Sequence, residues 1–153
     1  MNPSQSLIEF NRRSENEALF LSPAGTVTKA FPDAGGWSIG YGHHSDSVTE
    51  DMEWTKEQAE AANVLDLETA AYKCAKYCPN LKTQGQFDCM TDFFYNVRIT
   101  SFIGSHLEAT INAGDFDAVP DHLRQWVYSG KTKIDGLVKR REGEIEFWNG
   151  EQS

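Results

Sequence analysis

The chain is poor in three things. Among its 153 residues there are only three cysteines, Cys74, Cys78 and Cys89. An odd count does not make a closed disulfide framework, and Cys74 and Cys78 lie four apart on one helix face with no histidine pair at zinc-finger spacing. Buried free thiols are the expectation, with no metal and no cofactor. Positive charge is also scarce: 14 Lys and Arg against 23 Asp and Glu, a net −9. That balance argues against general nucleic-acid binding, which depends on neutralising phosphates. Finally, no apolar run approaches the roughly 20 residues of a membrane-spanning helix. The opening MNPSQSLIEFNRRSEN lacks the apolar core of a secretion signal, so synthesis in a cytosol without stable membrane insertion is expected.

The basic residues that exist are clustered. Residues 121–141 hold Arg124, Lys131, Lys133, Lys139, Arg140 and Arg141 against Asp121 and Asp135. On an acidic chain this reads first as a solvated helix face, and second as a stripe that meets an anionic polymer.

Hydrophobic spacing divides the chain into a turn-rich front and a helical remainder. SLIEFNRRSEN reads as a short helix with Leu7, Ile8 and Phe10 on its apolar edge and Pro3 near its start. Ser22-Pro23-Ala24-Gly25 and Asp33-Ala34-Gly35-Gly36 are turn signals flanked by β-favouring residues. They predict a hairpin over about 19–31 and a second short strand at WSIGY. Thr55-Lys56-Glu57-Gln58 is a capping box. It opens a long helix to about Tyr77, whose buried side is expected to include Ala62, Leu65 and Tyr72. Further helices are expected over QGQFDCMTDFFYNV, SHLEATINAG, AVPDHLRQWVYSG and GLVKRREGEIEFW. The expectation is one α+β, mostly helical domain: a β-rich lobe at about 14–54, a connecting helix at 55–78 and a helical lobe at 79–149.

The segment FPDAGGWSIGYGHHSD concentrates the chemistry. Its glycines fit neither a dinucleotide fingerprint nor a P-loop. Adjacent residues on a strand point to opposite faces, so His43 and His44 do not readily ligate one ion. No Gly-x-Ser-x-Gly elbow is present. Paired carboxylates remain. Glycosidic cleavage needs a proton donor on the leaving oxygen and a second carboxylate across the sugar. Asp33 with Glu9, Glu15 or Glu17 are the candidates.

Several motifs in order resemble the phage-type lysozymes and endolysins, glycoside hydrolase family 24, a group that includes the T-even phage lysozyme. They are Ser38-Ile39-Gly40-Tyr41-Gly42-His43, then TKEQAEAANVLDLETA, GQFDCMTDFFYNV and GLVKRREGEIEFW. The resemblance runs from about Leu7 to Trp148. It implies a two-lobed lysozyme-like fold and a peptidoglycan hydrolase, a muramidase cutting the β-1,4 bond between N-acetylmuramic acid and N-acetylglucosamine. It places Asp33 at the family's catalytic Asp and Ser38 at its Thr. Glu15 is the choice for the proton donor and Glu17 the alternative. Ser38 is expected to help hold the attacking water. Tyr41, Asn96, Phe102 and His106 are candidate substrate contacts. His43, Asp66 and Arg141 are read as structural, His43 pairing with Asp66 as a brace between lobes, and His44 as exposed.

Two departures from the family pattern stand out. The interval between Glu15 and Asp33 is longer, which the 19–31 hairpin would occupy. The stretch Asn96-Val97-Arg98-Ile99-Thr100-Ser101-Phe102 lacks the family's two glycines, so that loop should bend differently. The implied biology is a bacteriolytic phage endolysin for host cell lysis. It would be a monomer held in the host bacterial cytoplasm, released with the help of a holin, and active on the wall from the periplasm. A wall-piercing virion lysozyme or a toxin domain would look similar. The alternatives are a degenerate lysozyme fold that binds glycan or protein, a lytic transglycosylase, and a nucleic-acid binder using Lys139-Arg140-Arg141, which the acidic total disfavours.

Overall fold

A computed structural model describes residues 1–15 and 27–151. The expected turn at 22–25, most of the 19–31 hairpin and Glu17 lie outside the described residues. The chain divides into two compact units, Ile8–Asp66 and Met1–Leu7 with Leu67–Ser153. The division falls inside the first helix, α1 (Gln5–Ser14), and inside the long helix, α2 (Lys56–Tyr77). The architecture is α+β and mostly helical, with small antiparallel sheets.

In the unit Ile8–Asp66, β1 (Val27–Lys29) pairs with β5 (Glu53–Thr55), while β2 (Phe31–Asp33), β3 (Gly36–Ile39) and β4 (His43–His44) form a three-stranded sheet. Ala34 and Gly35 link β2 to β3 with φ of 49° and 79°. Positive φ at both central residues is the type I′ turn, whose twist matches that of the flanking strands. Register follows from it: Asp33 opposes Gly36, Phe31 opposes Ser38, and Ser38 in turn opposes His44. The start of α2 is the expected capping box. Thr55 N–H donates to Gln58 Oε1 at 2.8 Å, and Gln58 N–H donates to Thr55 Oγ1 at 3.2 Å.

The buried side of α2 differs from expectation. Leu65 is 63% and Tyr72 69% exposed, and Ala62 is half-buried. The residues that face inward are Ala59, Asn63, Leu67, Ala70, Ala71 and Cys74, with buried Cys78 just past the helix end. Asn63 is admitted to the interior because its amide donates to Asn11 at 2.7 Å and its carbonyl accepts from Arg12 Nε at 3.0 Å. A buried polar group is tolerated when so satisfied.

In the unit of Met1–Leu7 and Leu67–Ser153, α3 (Gln84–Asn96) is the centre. Residues 86–94 are all buried. Thr83 caps it with a second capping box, reciprocated by Gln86. Phe93, Phe94, Phe102 and Trp126 meet edge to face, with ring centroids 4.8–6.1 Å apart. This geometry suits the aromatic quadrupole. The stretch without glycines after Asn96 forms a one-turn helix, α4 (Ile99–Phe102), followed by α5 (His106–Asn112).

Two expectations are corrected here. The helix over AVPDHLRQWVYSG stops early. Only α6 (Val119–Leu123) forms, and the chain then makes a ribbon of β6 (Tyr128–Ser129) and β7 (Thr132–Lys133) around positive-φ Gly130. The aromatic and β-branched run Trp126-Val127-Tyr128 beside a glycine turn favours that ribbon. The last helix, α7 (Asp135–Trp148), does form. Arg140 and Arg141 on it are not on a solvated face: they are 7% and 0% exposed. Arg140 forms a two-bond pair with Asp92 at 2.9 and 3.2 Å. Arg141 lies against Glu144 and Asn96.

The three cysteines are free and buried, as expected. Among the described residues no helix is long and apolar enough to cross a membrane, and no group of three His, Cys, Asp or Glu is placed to hold a metal ion.

Candidate active site

The three-stranded sheet presents Asp33 at one end. Asp33 closes β2 at the type I′ turn and is exposed. Ser38, two residues into β3 and fully buried, donates its hydroxyl hydrogen to Asp33 Oδ2 at 2.8 Å. On the other side of the same hydroxyl, His44 Nδ1 lies 3.0 Å from Ser38 Oγ. Asp33, Ser38 and His44 are thus one hydrogen-bonded chain. Ser38 is closed to solvent, and both Asp33 and His44 lie within hydrogen-bond reach of its hydroxyl.

The far end of the sheet meets Glu15. The residues Gly40-Tyr41-Gly42 link β3 to β4, and Gly42 adopts a φ of 82°. A Cβ at residue 42 would lie 2.8 Å from Glu15 Oε2. The bare backbone of Gly42 therefore makes the space in which that carboxylate sits. Glu15 follows α1 directly, with its N–H bonded to Asn11 O at 3.0 Å.

Other candidate residues take different places. His43 Nδ1 is 2.8 Å from Asp66 Oδ2, and its ring tilts against Trp54 with centroids 5.4 Å apart. Both partners belong to the unit Ile8–Asp66, so this brace works inside one unit. Tyr41 is 1% exposed, with the Arg12 guanidinium 5.7 Å from its ring centroid, and is a core residue of the sheet unit. Phe102 is fully buried in the aromatic cluster of the helical unit, so it offers no surface to a glycan. His106 is exposed and stacks on His122 with centroids 6.4 Å apart.

Asn96 accepts from Arg141 at 2.5 Å. Both line a cavity of about 380 Å³ in the helical unit, together with Ser101, Gln125, Trp126 and Tyr128. Beneath it, Arg141 Nε and Glu144 Oε2 are 2.8 Å apart, close enough to pair as ions but off the hydrogen-bond direction. Burial pushes the Glu144 carboxyl up, opposed by Arg141 and reinforced by Asp92.

His44 is the residue that sequence reasoning missed, having been read only as exposed. The signal was available in the register. A three-residue link at 40–42 places residue 43 opposite 39 and residue 44 opposite 38, and directly opposed strand residues share a face.

A chain of this size with a mostly helical α+β fold, a carboxylate on a tight β-turn and a second carboxylate just after the first helix has the features of the lysozyme class. The comparisons agree. Residues 22–144 match the phage lysozyme family model, and the chain belongs to that family. It is 34% identical over 116 residues to an endolysin of Bacillus phage B103, a match covering 76% of this chain and 44% of that protein. The chain thus spans less than half the length of that relative. Among solved structures, the muramidase domain of SpmX from Asticaccaulis excentricus is similar, with a TM-score of 0.80 and 25% identity covering 95% of each chain. An endolysin from Escherichia coli O157:H7 phage FAHEc1 has a TM-score of 0.78 and 26% identity, covering 97% of this chain and 93% of that one.

Proposed function

We propose that the protein is a peptidoglycan hydrolase, a muramidase that cleaves the β-1,4 bond between N-acetylmuramic acid and N-acetylglucosamine. The observation that carries this reading is that one small sheet holds Asp33 at its turn and abuts Glu15 at its other connection. Glu15 protonates the leaving oxygen. Asp33 supports the developing positive charge and activates water on the opposite face of the sugar. Ser38 positions the Asp33 carboxylate.

Inversion is the expected outcome, with the two carboxylates about 6.5–9.5 Å apart so that a water fits between them. The helical unit's cavity beside Asn96, Trp126 and Arg141 is a second place for the substrate to bind. We further propose a monomer acting as a phage endolysin. It would be held in the host cytoplasm until a holin opens the membrane, then reach the wall from the periplasm.

The test uses isolated peptidoglycan with wild type, Glu15→Gln, Glu17→Gln and Asp33→Asn. New reducing ends from wild type, lost in Glu15→Gln and Asp33→Asn, are expected. No ends from wild type would overturn the enzyme reading. Anhydro ends would identify a transglycosylase, and loss only in Glu17→Gln would move the acid.

A further inference from the structure

We infer that His44 is a positioning residue for catalysis: its Nδ1–H donates to Ser38 Oγ and thereby commits the single Ser38 hydrogen to Asp33. The inference rests on the reading of Asp33 as a reacting carboxylate.

The argument is one of counting. A serine hydroxyl has one hydrogen and two lone pairs. Ser38 gives its hydrogen to Asp33 Oδ2 at 2.8 Å. His44 Nδ1, 3.0 Å from the same oxygen, can then bond only as a donor. The imidazole is accordingly fixed with its hydrogen on Nδ1. If the tautomer were reversed, a bare Nδ1 would compete for the Ser38 hydrogen and Asp33 would lose its partner.

Serine also needs this help more than a branched residue would. Threonine is restricted at χ1 by its methyl, whereas serine turns freely. Two hydrogen bonds at Oγ supply the restraint instead. The ladder makes the arrangement possible, since Ser38 and His44 are directly opposed across β3 and β4. His44 is itself exposed, so its role does not depend on filling the core. The held oxygen of Asp33 is Oδ2, which leaves Oδ1 for the reacting face.

Two measurements test this. Nitrogen-15 NMR of the imidazoles, read in the neutral-ring form, should find His44 protonated on Nδ1; a bare Nδ1 overturns the inference. In kinetics, His44→Leu should lower kcat about three- to ten-fold, the worth of one neutral hydrogen bond. KM should stay nearly unchanged, and Tm should fall by no more than about 2–4 °C. His44→Asn, whose side-chain amide can donate from a similar place, should restore most of the rate, and Ser38→Thr should reduce the penalty of His44→Leu. Full activity in His44→Leu, with Asp33→Asn inactive, sinks this inference and leaves the muramidase reading intact. Inactive wild type sinks the muramidase reading, while the NMR result still decides the tautomer.

Discussion

Gly42 leaves a gap that the Glu15 carboxylate occupies: a Cβ there would stand 2.8 Å from Glu15 Oε2. Gly42→Ala therefore does two things. It forces an L side chain into a left-handed backbone, at roughly 1–2 kcal/mol, and it displaces the carboxylate. Gly114, with a φ of 75° and nothing within 4 Å of its absent Cβ, carries the backbone strain alone. Both alanine variants should lower Tm by about 3–6 °C. Only Gly42→Ala should also lose glycan-cleaving activity, read as reducing ends at a temperature where both are folded.

The pair of His43 and Asp66 should behave as structure. Its side chains are 28% and 31% exposed at a 2.8 Å separation, so the bond is partly screened and worth up to about 1 kcal/mol. Asp66→Asn should lower Tm by about 2–4 °C and keep its activity. A loss as deep as that of Glu15→Gln would place His43 in the chemistry instead.

Burial separates two otherwise similar ion pairs. Arg140 and Asp92 are 7% and 0% exposed, while Arg124 and Glu142, 2.8 Å apart, are 46% and 48% exposed. Asp92→Ala takes the carboxylate from a buried Arg140 and should cost about 3–5 kcal/mol. Glu142→Ala should cost less than about 1 kcal/mol. Denaturant midpoints of the two variants test the difference. Arg140→Met with Asp92→Leu should be milder than Asp92→Ala, because no charge is left alone.

The cysteines give a pH dependence of definite sign. Burial raises the Cys74 thiol from 9.0 to about 12, and it pushes Cys78 and Cys89 up as well. A raised folded value means the folded chain keeps its proton where the unfolded chain loses it. This contribution is full below pH 9 and is lost as the pH rises toward 12. The slope for Cys74 is about 1.4 kcal/mol per pH unit. Cys74→Ala should flatten the alkaline fall in stability. A thiol reagent should find no reactive cysteine in the native protein and all three once it is unfolded.

Features set by local chemistry were legible in the sequence. The Thr55–Gln58 capping box, the turn after Asp33 and the free thiols needed only neighbouring residues to be read. Features set by partners were not. Leu65 suggested an inward face, yet Asn63 took that place because Asn11 and Arg12 satisfy its amide. Arg140 sits in a basic stripe that reads as a solvated face, and only its pairing with Asp92 turns it inward; Arg141, read as structural, lies against Asn96 and Glu144. In the site, Asp33 and Ser38 could be picked out from their motif. His44 needed the register of β3 and β4, which the link at 40–42 sets.

The topology carries one more implication. Met1–Leu7 belongs with the residues after Leu67, although the whole of the other unit lies between them in sequence. Its anchors are Ser4 N–H on Asp88 Oδ1 at 3.1 Å and the Gln84 amide on Asn2 O at 2.8 Å. A ribosome delivers those first residues long before their partners exist. Closing so long a loop also carries an entropic cost. Residues 1–7 are thus tied down late, and they spend the synthesis of the β-rich unit waiting for α3.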